Sequence, residues 1–200
     1  NTAVGYNSLQ SLTTAANTTA LGIAAGQSIT SGGGNTAIGT IALNACTTGT
    51  ANTMVGTQAG RLITGTDNVG VGMDVLYDCT SGSRNVAIGA GGYGFTRGAL
   101  ANLTTGADNV AVGYRSLADS TTSASNVAVG ALTARDNTTG AQLVAVGKQA
   151  LLKNTSGTDN TAVGCDALDA NTTANANTAV GRSALSSTTT QGLNVAVGYR

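Results

Sequence analysis

The sequence predicts an all-β chain wound into a parallel β-solenoid, a β-roll of about twelve 17-residue coils, and three observations predict it. A short motif ending in glycine recurs from one end of the chain to the other. Inside the motif, residue character alternates with a period of two, the signature of a strand. The composition is poor for helices and good for short strands and turns, with no Glu, two Lys, 29 Gly and much Thr, Asn and Val.

The closing glycines are Gly5, Gly22, Gly39, Gly56, Gly72, Gly89, Gly113, Gly130, Gly147, Gly164, Gly181 and Gly198. Nine of the eleven intervals are 17 residues, one is 16 and one is 24, so residues 1–200 form a single repeat array with no second domain. A free solenoid end is a strand edge that natural arrays cover. The array opens inside one motif and closes just past another, so it is expected to be a segment cut from a longer fibre.

Each coil starts with Asn four residues before the glycine, in ten of twelve coils, with Thr18 and Leu143 as exceptions. Asn35, Asn52, Asn109, Asn126, Asn160 and Asn177 are expected to bond from coil to coil as an amide ladder. Thr or Val follows, then Ala, broken only by Met54 and Gly70, then a branched aliphatic such as Val112, Val129, Val163 or Val180. The β-branched residues share one face of a short strand and Ala the other, where the small side chains imply a close neighbour.

Beyond the glycine, the fourth residue is mostly Leu and the eighth is Thr, as at Thr13, Thr47, Thr121 and Thr138. A turn of Thr, Ser and Gly completes the coil. Segments such as "RSLADS" and "KQALLKN" also admit a single helical turn. Charged residues avoid the Asn-to-Gly motif, the Leu column and the Thr column. Those columns are accordingly assigned to the interior and the charged positions to solvent.

One coil cannot fold alone, because ordering its backbone costs roughly 1–2 kcal/mol per residue and each large aliphatic returns only about 1.5–3 kcal/mol. Stacking supplies the difference, as every backbone group of a strand pairs with the coil above or below. At about 3.3 Å per residue, the perimeter suits a flattened coil of two short strands and two turns.

The two irregular intervals have definite expectations. The short one, between Gly56 and Gly72, loses its residue from the turn before Asn68, which keeps Val69 and Val71 in line with Val86 and Ile88. The long one carries a seven-residue insertion near 91–97, "GGYGFTR", after which Leu100 and Thr104 rejoin their columns. Tyr93, Phe95 and Arg97 in that insertion form a candidate partner-binding loop, since aromatics and Arg are enriched at interfaces. A passive bulge is the alternative.

"NTAVG", "NTAIG" and "NVAVG" with Ala-, Ser- and Thr-rich spacers resemble the head repeats of trimeric autotransporter adhesins. The longer form "NTAVGYNSLQSLTT" is even more similar to arrays in bacteriophage tail-fibre proteins. The resemblance implies a left-handed roll that is part of a homotrimeric fibre. A narrow coil with one Phe, no Trp and five Tyr, carrying an Ala/Gly face that permits close approach, argues for the same association.

Catalysis is not expected. The chain has no His and no Glu, and its nine Asp are dispersed over the charged columns. Cys46 and Cys79 lie two coils apart, too far for a disulfide, and Cys165 is in another column. Asp67, Asp108 and Asp159 precede motif asparagines as solvated turn residues, and "GAGGYG" reads as a turn at the insertion. No cofactor is expected. Zero net charge without a basic stripe argues against nucleic acid, and no run is long and apolar enough for membrane insertion.

The expected function is a structural segment of an extracellular, fibrous surface appendage, a phage tail fibre or trimeric adhesin, that holds out a host-attachment tip. Its partners would be its own copies and a cell-surface receptor or glycan. An ice-binding β-solenoid is the alternative, suggested by the unbroken Thr column.

Overall fold

The computed structural model describes residues 1–92 and 97–200, and these form an all-β parallel solenoid without a helix. The strands are β1 (Thr2–Val4), β2 (Thr19–Leu21), β3 (Thr36–Ile38), β4 (Thr53–Val55), β5 (Val69–Val71), β6 (Val86–Ile88), β7 (Val110–Val112), β8 (Val127–Val129), β9 (Val144–Val146), β10 (Thr161–Val163), β11 (Thr178–Val180) and β12 (Val195–Val197). They line up in chain order as one parallel sheet, each coil pairing with its neighbours. Hydrogen bonds slant from coil to coil: Val110 N–H donates to the Asn126 carbonyl and Gly130 N–H to the Val112 carbonyl, both at 2.8 Å.

Among the described residues the expected second strand is absent. The other leg of each coil is a run of turns, because residues two and four after the glycine take left-handed φ, for example Arg115 (54°) and Leu117 (50°). Two reversals so close together prevent the consecutive extended residues a strand requires. The leg still stacks: Leu117 N–H donates to the Thr133 carbonyl at 3.0 Å and Asp119 N–H to the Arg135 carbonyl at 3.0 Å. Other N–H groups turn back within the coil, as Ser116 does to Gly113 at 3.3 Å and Ser120 to Leu117 at 3.2 Å. A left-handed Leu costs about 1–2 kcal/mol, and full burial of its side chain, worth about 1.5–3 kcal/mol, offsets that cost.

The repeat glycine is required by both conformation and space. Gly113 has φ 129°, and a Cβ there would stand 2.4 Å from the Gly130 carbonyl oxygen of the next coil.

The sequence pattern assigns the whole Asn-to-Gly motif to the interior and offers its Ala/Gly face to a neighbouring copy, but one face of the strand lies outside and it is not the Ala face. The column pattern assigns Val112, Val129, Val163 and Val180 to the interior, yet Val129 and Val180 are each 37% exposed, and Val112 and Val163 are half-buried. The Ala column is the buried one, with Ala111, Ala128 and Ala162 at 0–1% exposure. Space decides this. The Leu column enters from the opposite leg and fills the narrow coil, leaving room only for a methyl group on the sheet side. The core is thus Ala against Leu, joined by Ile29, Cys46, Ile63, Cys79 and Leu103 from seven residues after the glycine.

Departures from the columns confirm this packing. Coil four has Gly60 in place of Leu, and coil five has Gly70 in place of Ala. Met54 fills both spaces: a Cβ at Gly60 would meet its Cγ at 2.8 Å, and one at Gly70 would meet its Sδ at 2.4 Å. In the same way, Leu9 and Ile29 occupy the space opposite Gly26. The volume is conserved even where the residue is not.

Both irregular coils stay in register. Val69 pairs with Val86 and Val71 with Ile88, as expected. Thr64 keeps its place, donating to the Thr80 carbonyl at 2.6 Å, while Gly65 already stands where Gly49 and Gly82 stand in neighbouring coils. The missing residue of that coil therefore falls between Thr64 and Gly65, in the turn before Asn68. Past the insertion, β6 and β7 pair normally, Val86 with Val110. Gly91 N–H bonds to the Met73 carbonyl and Ala99 N–H to the Gly89 carbonyl, bonds that adjacent residues make in regular coils. This sets the insertion at residues 92–98, one position later than expected.

Candidate functional site

Three features of the coil surface and interior carry the chemistry of this chain. The first is the interior amide ladder. Asn52 N–H donates to Asn35 Oδ1 at 2.9 Å, and Asn177 N–H to Asn160 Oδ1 at 2.9 Å. Asn35 Nδ2 donates to the Gly32 and Gly49 carbonyls at 2.9 and 2.7 Å, tying the turn of its own coil to the next. Asn109 and Asn126 repeat the pattern, with Asn126 Nδ2 donating to Asn109 Oδ1 at 3.0 Å. These asparagines are fully buried, so their role is to satisfy backbone groups inside the roll.

A second amide ladder escapes the column pattern of the sequence. Asn137, Asn154 and Asn171 stand seven residues after the glycine, with Asn154 Nδ2 donating to Asn137 Oδ1 at 2.8 Å and Asn171 Nδ2 to Asn154 Oδ1 at 2.7 Å. It runs beside the point where the first ladder is broken by Leu143. Asn154 Nδ2 bonds to the Gly157 carbonyl at 3.1 Å, which an asparagine at 143 would otherwise have held. Equal spacing is the signal these residues carry. Hydrophobic residues at the same position in earlier coils obscure it.

The Thr column is corrected from interior to surface: Thr13 and Thr47 are exposed, and Thr121 and Thr138 are half-buried. Its hydroxyls nonetheless work as a ladder. Thr13 Oγ1 donates to the Thr30 carbonyl at 3.0 Å, Thr30 to Thr47 at 3.0 Å, Thr121 to Thr138 at 3.2 Å and Thr138 to Thr155 at 2.9 Å.

The second feature is the outer face of the sheet. Val127, Val129, Val144, Val146, Val71 and Ile88 are among its exposed aliphatics. Successive strands carry them in two parallel ranks with no charged side chain between. Tyr6, Ile23 and Tyr114, one residue after the glycine, widen the apolar strip.

The third feature lies beside the insertion. Of the candidate loop residues, Tyr93 and Phe95 fall outside the described residues. Arg97 is described: its guanidinium pairs with Asp78 and lies 4.8 Å from the centroid of the Tyr77 ring. Arg61, one coil away, also approaches that ring, at 5.3 Å, and donates to the Tyr77 hydroxyl at 3.0 Å. Sequence composition singles out Arg97 but not Arg61 and Tyr77, which stand on neighbouring coils.

The remaining titratable groups do not converge. Among the described residues, no group of His, Cys, Asp or Glu is placed to hold a metal. Asp67, Asp108 and Asp159 are not brought together. Asp108 forms a bidentate pair with Arg84 at 2.7 and 2.9 Å, which holds its carboxyl below the usual range. No helix among the described residues is long and apolar enough to cross a membrane.

The three cysteines are free. Cys46 and Cys79 are buried, and burial pushes their thiols up to about 11 and about 12. Cys165 is half-buried and its thiol bonds to Asp166 at 3.2 Å, which also raises its pKa. A raised thiol pKa means less thiolate at neutral pH, so labelling is slow until pH climbs toward that pKa. At pH 8 a disulfide reagent is expected to modify Cys165 alone in the folded protein, and all three thiols after denaturation. Rapid native labelling of three thiols would contradict the packing.

No protein-family description matches the chain, and neither a curated protein nor a solved structure is significantly similar to it.

Proposed function

We propose that this chain is the rigid segment of an extracellular fibrous appendage, a tail fibre or trimeric adhesin, in which three copies associate along their sheet faces. The observation that carries the reading is the outward rank of Val, Ile and Leu before the repeat glycine, doubled by a second Val in β5 to β9 and in β12. A strip of this kind extends about 55 Å along twelve coils, whereas monomeric soluble proteins rarely leave a continuous apolar patch of more than a few hundred Å² uncovered. Cyclic association covers the strip in every copy and closes the assembly. The coil-to-coil ladders of Asn, Thr and backbone supply stiffness, and the dispersed titratable groups favour a structural role over a catalytic one.

Sedimentation equilibrium of the chain is expected to give the mass of three copies. Replacing Val112 and Val146 together with Asp is expected to yield folded monomers, since a charge on a desolvated face opposes association strongly. A wild-type chain that remains monomeric at tens of micromolar, an order-of-magnitude loading for such interfaces, would remove the basis of the proposal.

Ice binding is the second reading, and it too draws on the outer face of the sheet. Six strands present Thr two residues before the aliphatic, at Thr2, Thr19, Thr36, Thr53, Thr161 and Thr178. The Thr column that first suggested ice binding donates its hydroxyls to neighbouring coils instead. Thermal hysteresis above that of buffer would move the assignment to this alternative.

A further inference from the structure

Five residues after the repeat glycine, five consecutive coils carry planar polar side chains: Gln10, Gln27, Asn44, Arg61 and Tyr77. Hydrogen bonds join them along the axis in two groups, Gln10 to Asn44 and Arg61 with Tyr77. Gln27 Nε2 donates to Gln10 Oε1 at 2.8 Å, Asn44 Nδ2 to Gln27 Oε1 at 3.0 Å and Arg61 Nη1 to the Tyr77 hydroxyl at 3.0 Å.

Asn44 Nδ2 also donates to the Ala24 carbonyl at 3.3 Å, so that amide offers its Oδ1 acceptor to something outside the chain. The Tyr77 oxygen accepts from Arg61, so its own proton remains available to an external acceptor. Arg61 has no carboxylate within salt-bridge distance among the described residues, whereas Arg84, Arg97 and Arg135 each have one. Phenol and guanidinium thus offer adjacent donors with no anion between them. Arg97 adds a second guanidinium over the same ring, fixed in place by Asp78.

We propose that this row is a binding track for an acidic oligosaccharide, with a sugar carboxylate held by Arg61 and Tyr77 and hydroxyls held by the amides of Gln10, Gln27 and Asn44. A carboxylate suits paired donors on one edge. Spacing favours a sugar over an acidic peptide: the row advances about 4.8 Å per coil, and an extended peptide rises only about 3.3 Å per residue. A peptide along the axis falls out of step within two coils. A pyranose chain advances by whole rings and stays closer to the row. The inference rests on the appendage reading for its biological use, but the two fail separately: oligomeric mass tests the rod and ligand titration tests the track.

The experiment is a calorimetric or NMR titration of the full chain with a galacturonate hexamer, a neutral glucose hexamer, a hexa-aspartate peptide and inorganic phosphate. Saturable binding of the galacturonate hexamer is expected, at least about tenfold tighter than any other probe. Arg61→Gln and Tyr77→Phe are each expected to weaken it by about tenfold, as loss of a hydrogen bond to a charged group does, while leaving the melting temperature and oligomeric mass unchanged. No saturable binding of the hexamer, or binding indifferent to both substitutions, overturns the track. Equal or tighter binding of hexa-aspartate or phosphate overturns its assignment to a sugar acid.

Discussion

Ala128→Asp is expected to unfold the coils around β8, while Val129→Asp, one residue along the same strand, leaves them folded. Ala128 is 1% exposed and Val129 is 37% exposed. An aspartate at 128 places an unpaired carboxylate in a space sized for a methyl group. Both the desolvation and the overpacking are unfavourable, and a loss of more than about 4 kcal/mol is expected. The same side chain at 129 points to solvent in a single copy and changes intrinsic stability by less than about 1 kcal/mol. Urea unfolding of the two variants under dissociating conditions measures the difference. A larger loss at Val129 would restore the interior assignment that the aliphatic column suggests.

The second large effect is expected from Asn126→Ala. Asn126 Oδ1 accepts from Leu143 N–H at 2.9 Å, and its Nδ2 donates to Asn109 Oδ1 and the Gly140 carbonyl, both at 3.0 Å. Alanine deletes three hydrogen bonds in a fully buried site. Gly140 keeps a donor in Asn137 Nδ2 at 3.0 Å, and Asn109 Oδ1 keeps the Asn126 N–H at 3.2 Å. The Leu143 N–H keeps nothing. Leaving it unpaired, with the other bonds lost, is expected to lower stability by about 3–5 kcal/mol. A loss below about 1 kcal/mol would show that the ladder is not what satisfies the interior backbone.

Sequence reasoning locates these ladders but misplaces the wall between inside and outside. Amide ladders follow from register alone, because side chains at one repeat position must stack once the backbones pair. The spacing of Asn35, Asn52 and Asn126 is therefore enough to name them as ladder residues. The insertion is placed to within one residue for the same reason: Leu100 and Thr104 have to return to their columns. The row of Arg61 and Tyr77 is harder to find, since its members differ in type and only the coil stacking makes them neighbours.

What the sequence determined by itself is the periodic part of this protein: the parallel solenoid, the strand within the Asn-to-Gly motif, the register through both irregular coils and the Asn ladder. Spacing carries that information, and spacing survives without coordinates. Which face of the strand lies inside was decided only by the tertiary structure. Hydrophobicity favours burying Val129 over Ala128, and it would prevail in a wider coil. Here Leu117 and its equivalents reach across from a leg kinked by left-handed residues and fill the interior. The volume that remains admits Ala alone, so the larger aliphatics are turned outward.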